Sequence, residues 1–173
     1  MQRMKQILLA ATVSLLSMTA VNAQRIAVVD IQAVLDGMSA YQQAQQELDK
    51  TAAEWRQEIS KEYDKIRAAY NKYQAEQVLL SDEAKQERQD GIMEMEAQVR
   101  DMQKNRFGAE GDLFRRRQDL VRPIQEQVYG AIEEYADERG YDFIFDKGGA
   151  TGLIFSSDEY DKTDDIRRKV GNN

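Results

Sequence analysis

The side chains in this chain able to do proton-transfer or covalent chemistry are carboxylates, lysines and hydroxyls alone. The 173 residues include no Cys and no His. Thiolate nucleophiles, disulfides and Cys-based metal sites are therefore excluded, and the commonest general base and metal ligand is missing. Asp158-Glu159-Tyr160-Asp161, followed by Asp164-Asp165, is the densest run of carboxylates. A calcium loop needs an Asp-x-Asp-x-Asp-Gly order and a Glu at its twelfth position. Neither is present, so the run is expected to be a solvated loop with acids at a helix start. Lys147-Gly148-Gly149 lacks the GxxxxGK[ST] spacing of a phosphate loop and is expected to be a hairpin turn. Arg115-Arg116-Arg117 is offset by Asp112 and Asp119, and the net charge is −7. That balance argues against nucleic-acid binding. No catalytic residue, metal or cofactor is expected; the chain is expected to work by binding.

The elements that would position a binding surface begin after a leader. Arg3 and Lys5 precede an apolar run over 7–18, and Val21-Asn22-Ala23 supplies a cleavage site before Gln24. This is the pattern of a secretory signal peptide over 1–23, too short to span a bilayer. Arg25 to Asp30 is β-branched and predicts a strand. Asp30 should cap a short helix that ends at Gly37, and Ser39 with Gln42 has capping-box spacing for the next. From there to about Leu79 the chain has neither Gly nor Pro. Ser81, with Asp82 and Glu83, starts a second stretch expected to reach about Leu120. Pro123 near its end should lead a further helix over Val121 to Tyr135.

Periodicity decides how these stretches pack. Ala52, Ile59, Ile66, Tyr73 and Leu80 recur every seven residues, with Tyr41, Leu48, Trp55 and Ala69 interleaved. In the second stretch Ile92, Val99, Leu113 and Leu120 share one phase, and Met95, Met102 and Ala109 the other. These are the a and d positions of heptads. Equal lengths about Ser81 predict an antiparallel helical hairpin over 41–119, with its tip near 78–83. Residues 24–40 and 120–173 form the body. There Tyr141 to Asp146 and Thr151 to Ser156 are expected strands, and Thr163 should cap a last helix. Three short strands leave open edges, which predicts an oligomer whose sheets complete one another. Ile26, Val28, Val29, Phe143, Ile144, Phe145, Leu153, Ile154 and Phe155 are the candidate oligomerisation residues. The fold class is mainly α with a small β body.

Taken together, the leader, Arg-Ile-Ala-Val-Val-Asp-Ile-Gln-Ala-Val-Leu at 25–35, the charged hairpin, Pro123-Ile124, Gly140 to Asp146 and Asp161-Lys162-Thr163 resemble the Skp (OmpH-like) periplasmic chaperones. The resemblance implies a homotrimer with a small shared barrel, from which three hairpin tentacles enclose a cavity. It also implies a periplasmic, ATP-independent holdase whose partners are unfolded outer-membrane β-barrel proteins. The familiar members are basic, whereas here residues 41–122 carry 15 basic and 17 acidic side chains and the rest of 24–173 carries 7 and 14. A lipopolysaccharide or membrane contact is therefore not carried over. A structural or adaptor coiled-coil protein of the cell envelope is the alternative.

A holdase needs apolar side chains that helix packing does not consume. Tyr63 and Tyr70, Met93, Phe107 and Phe114, and Val78 with Leu79 at the tip are the client-binding candidates. The competing reading is that they widen the seam or pack between subunits, and register places Phe107 level with Trp55. Gly91, Gly108 and Gly111 interrupt the returning helix, either to let it bend or to let helices approach closely.

Overall fold

The structure, a computed structural model, describes residues 24–149 and 152–171. The expected signal peptide at 1–23, with its cleavage at Ala23/Gln24, lies outside them, as does Thr151.

Strand β1 is Ile26–Val29. Helix α1, Ile31–Asp36, starts where an Asp30 carboxylate oxygen accepts from the Ala33 N–H at 2.8 Å. Helix α2, Ser39–Glu76, runs 38 residues, about 57 Å at 1.5 Å per residue. A 3-10 turn, Gln77–Leu79, tops it. Helix α3, Asp82–Phe107, begins with Ser81 Oγ accepting from Ala84 N–H and with two acids in its first turn. Both features suit the positive end of the helix dipole. Helix α4, Asp112–Arg139, closes at Gly140, whose φ of 66° is the left-handed C-terminal turn that favours glycine. Strand β2, Phe143–Asp146, a 3-10 turn at Asp158–Tyr160 and helix α5, Thr163–Gly171, complete the chain.

The hairpin is antiparallel, as the heptads predict. Gln89 Nε2 donates to the Tyr73 hydroxyl (2.8 Å), Tyr63 donates to Gln103 (3.3 Å), Arg106 pairs with Glu58, and Arg116 with Glu47 (2.6 Å). The numbers in each pair add to between 162 and 166, so the fold-back point sits at 81–83 along the whole arm. Ala52, Ile59, Ile66, Tyr73 and Val99 are buried. Two clusters result. The upper one joins Ile59, Ile66 and Val99, with Ile92, Met95, Met102 and Phe107 packed on it. The lower one roots the arm in the body through Tyr41, Leu48, Val121 and Val128, Val34 and Leu35 of α1, and Ile166 and Val170 of α5.

Four expectations are corrected. The returning stretch breaks at Gly108–Gly111, not at Pro123, which lies inside α4. Gly111 is buried under the carbonyls of Asn105 and Arg106, where a Cβ would stand only 2.8–2.9 Å from their oxygens. Close backbone approach, not only bending, requires it. Pro123 is tolerated because it is exposed, so water can reach the carbonyl its missing N–H leaves free. Ala109, expected on the seam, is consequently exposed in the break.

The second correction is at Ser39, which forms no capping box: α2 is preceded by Met38 with no side-chain cap, and Gln42 Nε2 donates to the Asp36 carbonyl instead. Thirdly, Thr163 does not cap α5. Its hydroxyl accepts from Asp30 N–H (2.9 Å) and donates to Asp161 (2.6 Å), tying the two ends of the body together.

The sheet is the fourth. It has two parallel strands, with Ile26 opposite Phe143 and Val29 opposite Asp146. Residues 152–157 form no strand, so Lys147-Gly148-Gly149 turns without a hairpin partner. Gly152, at φ 72°, takes the backbone out of the extended conformation that pairing with the outer edge of β2 needs, and the other edge of β1 is taken by Asp161 and by Lys162 N–H donating to Val28 O at 2.9 Å. Within the described residues no free edge of β1 is left for a third strand.

Candidate functional site

Seam burial leaves a limited set of apolar side chains on the arm. Val78 and Leu79, in the 3-10 turn at the tip, are 84% and 85% exposed. Leu80 behind them turns inward and is half-buried, so the tip offers two of its three aliphatic side chains to solvent. Tyr63, Tyr70, Met93 and Phe114 are also exposed, each between two-fifths and three-fifths. Phe107 is different. It packs on the upper cluster and meets Trp55 edge to face, with ring centroids 6.1 Å apart. The register argument that placed it level with Trp55 is thus met, and Phe107 is first a packing residue.

Tyr63 and Phe107 nevertheless come together. With the Ile59 side chain between them, they line a shallow groove of about 580 Å³ on one flank of the hairpin, bordered by Arg56, Arg67 and Gln103. The Arg56 guanidinium lies 5.7 Å from the Phe107 ring centre, and Arg106 lies 5.3 Å from that of Trp55. Both distances suit cation–π attraction. Tyr70 sits two turns above Tyr63 on the same flank, while Glu58, Lys65 and Lys72 occupy the opposite one. Met93 and Phe114 lie on the returning helices, on either side of the break, and join neither the groove nor the tip. Arg56, Arg67 and Gln103 were not anticipated from sequence. The signal that would have found them is the pairing rule itself, which puts residue 103 beside residue 63.

In the body, the candidate subunit residues divide. Val28 and Val29 are buried within this chain, so its own core takes their side chains. Ile144 and Leu153 are half-buried. Ile26, Phe143 and Phe145 are partly exposed on one face of the sheet, the two phenylalanines stacked at 6.2 Å. Ile154 and Phe155 stand 99% and 82% exposed. That is an extreme value for two adjacent large apolar residues, since exposed contiguous apolar surface marks an interaction site.

The acidic run near the C-terminus has local partners. Burial pushes the Asp161 carboxyl up, but hydrogen bonds from the Thr163 hydroxyl and N–H, together with Lys147 at 3.0 Å, outweigh it and hold the carboxyl below its usual value. Asp165 is likewise lowered, chiefly by the Tyr135 hydroxyl donating at 2.7 Å. Tyr135 is raised, by burial first and then by that bond to a carboxylate. Asp164 pairs with Arg167 at 3.1 Å. Among the described residues no group of three or more carboxylates converges on a metal-sized site. The arrangement offers apolar contact and charge to a partner.

Comparison with known proteins agrees with that description. A search of curated proteins finds no match. The family model described as Outer membrane protein (OmpH-like) matches residues 25–170. That span runs from the residue before β1 through the whole hairpin to the last turn of α5. This is a periplasmic chaperone family for outer membrane proteins. The chain therefore belongs to the OmpH-like family.

Proposed function

We propose that this chain is an ATP-independent holdase that binds unfolded outer-membrane β-barrel proteins between helical arms and keeps them from aggregating. It is exported with loss of residues 1–23. The observation that carries the reading is the contrast along the arm: a buried heptad seam beside exposed Tyr63, Tyr70, Val78 and Leu79. Binding the unfolded state through many weak apolar contacts lowers the concentration of aggregating species. Tyrosine suits such contact because its ring is amphipathic, and Met93 because a thioether repacks around varied partners. The reaction needs no covalent step and no cofactor.

The working form is a homotrimer. Ile26, Phe143 and Phe145 on the sheet face and Ile154 with Phe155 beyond it are the subunit contacts of this reading. The support is their exposure in a single chain and the small size of a two-stranded sheet, which is marginal alone. Native mass spectrometry should give three copies, and a single copy would remove the cavity. Light scattering by a urea-unfolded β-barrel protein diluted into buffer should fall with added protein near one trimer per client. An unaltered aggregation rate would favour the structural or adaptor alternative.

A further inference from the structure

Arg56 has no carboxylate partner among the described residues, although eight of the 14 basic residues at 41–119 do. The helical neighbours that could pair with it, at positions 52, 53, 59 and 60, are Ala, Ala, Ile and Ser. The nearby acids are engaged elsewhere: Glu58 with Arg106 across the hairpin, Glu54 with Lys50 at 4.0 Å. Among the described residues its guanidinium makes no hydrogen bond or ion pair and instead approaches the Phe107 ring. The guanidinium thus stands at the end of the groove whose apolar side chains are Ile59, Phe107 and Tyr63. At the far end Arg67 is paired with Asp64 at 3.5 Å, so that pair adds no net charge. The groove as a whole carries one uncompensated positive charge beside an open aromatic surface. Among the described residues Lys61, Lys72, Arg88, Lys104 and Arg117 also lack ion pairs, but none of them lines this groove, and the groove beside Lys72 and Arg88 holds its own carboxylates, Glu76 and Glu87.

We propose that this groove is a binding subsite for an unfolded polypeptide segment in which a large apolar side chain, aromatic above all, adjoins a carboxylate. The apolar side chain lies over Ile59 between Tyr63 and Phe107. The carboxylate meets Arg56, whose planar fork donates to it side on. This rests on the holdase reading and adds a client preference to it: acidic-aromatic stretches are held better than basic-aromatic ones, even though the arm is nearly neutral overall. The groove is open, so the charge preference is small and salt-sensitive.

Trp55 is the chain's one tryptophan and packs against Phe107, so it reports on the groove directly. The probes are the blocked peptides acetyl-Gly-Phe-Asp-Gly-amide, its Phe-Lys counterpart and its Ala-Asp counterpart, titrated against the intact protein at low salt. The Phe-Asp peptide should perturb Trp55 emission and bind about threefold tighter than Phe-Lys, a ratio set by a surface ion pair. Ala-Asp should bind most weakly. Arg56→Gln should abolish the Phe-Asp preference, Arg56→Lys should retain part of it, and 0.5 M salt should remove it. Equal binding of Phe-Asp and Phe-Lys, or a preference that survives Arg56→Gln, would overturn the proposal. Client holding by the same preparation is measured in parallel. Suppressed aggregation without peptide discrimination sinks the subsite alone, whereas loss of holding in the native protein sinks the reading beneath it.

Discussion

Replacing Tyr63, Tyr70 and Leu79 together by Ser should weaken client holding at least tenfold while leaving the fold intact. The magnitude follows from what each side chain still offers. A tyrosine carries roughly 200 Å² of contact surface; at 41% and 51% exposure, Tyr63 and Tyr70 leave about 80 and 100 Å² for a client. At ~25 cal/mol per Å² that is about 2 kcal/mol each. Leu79, 85% exposed, adds about 2 kcal/mol from the range for burying a leucine. The ceiling is therefore about 6 kcal/mol per arm if a client covered all three. A fluctuating client covers less, but a quarter of that ceiling is about 1.5 kcal/mol, just over the ~1.4 kcal/mol that makes a factor of ten in binding. Stability should change little, because surface substitutions outside caps and cores stay within about 0.5 kcal/mol each. The assay is the chaperone concentration that halves light scattering from a diluted, urea-unfolded β-barrel protein. Urea midpoint and native mass are measured beside it. An unchanged half-suppression concentration at unchanged midpoint would refute the reasoning and return these residues to the role of surface decoration.

Other outcomes test the scaffold. Gly91→Ala should stabilise the arm by about 1 kcal/mol, because the residue lies in a helix with nothing within 4 Å of a new Cβ, whereas Gly111→Ala should destabilise it by about 1–3 kcal/mol against the Asn105 and Arg106 carbonyls; urea midpoints distinguish them. Val128→Ala, at a fully buried position joining α4 to the body, should lower the urea midpoint by an amount equivalent to about 2 kcal/mol, since two buried carbons are lost and a cavity is left. Asp161 and Asp165 have lowered folded-state pKa values, so the stability they contribute is present above the ordinary carboxylate value and is lost as pH falls below about 4. Asp165→Asn should flatten the acid limb of a stability–pH curve. Tyr135 is raised, so its contribution holds below its ordinary value of 10.0 and fades only above it; a stability loss between pH 8 and 9 assigned to Tyr135 would contradict the geometry. Amide exchange should be faster over 106–112 than over 95–102, because the former spans the break between α3 and α4.

The arm was legible from sequence because its physics is local and periodic. A seven-residue repeat names the buried face without knowledge of the partner helix. Ser81, Asp30 and Gly140 then mark helix ends through side-chain and backbone geometry confined to a few residues. The break was misplaced because Pro123 and Gly111 carry opposite signals for reasons no pattern contains. Pro123 is exposed where its missing hydrogen bond matters least, and Gly111 is pressed beneath two carbonyls. The body was less legible, since its contacts join residues more than a hundred apart. Thr163 looks like a cap in sequence, yet its hydroxyl is held by Asp30 from the other end of the chain. The stretch at 152–156 has the composition of a strand, but Gly152 stands at φ 72°, outside the extended region, and β1 has both of its edges occupied. The candidate surface shows the same division. Tyr63, Tyr70 and the tip were found as apolar residues off the seam, whereas the groove at Arg56 depends on a cross-hairpin neighbour and on the lack of an acid at the helical i±3 and i±4 positions.

The central claim is that clients lie on the flank of the arm that carries the tyrosines and on its tip. A photo-crosslinking residue placed singly at positions 70 and 79, and as controls at 65 and 98 on the opposite flank, tests it at the level of individual side chains. Crosslinks to an unfolded β-barrel protein should form from 70 and 79 and be several-fold weaker from 65 and 98. Equal crosslinking from all four positions, or crosslinks confined to 65 and 98, would contradict the account.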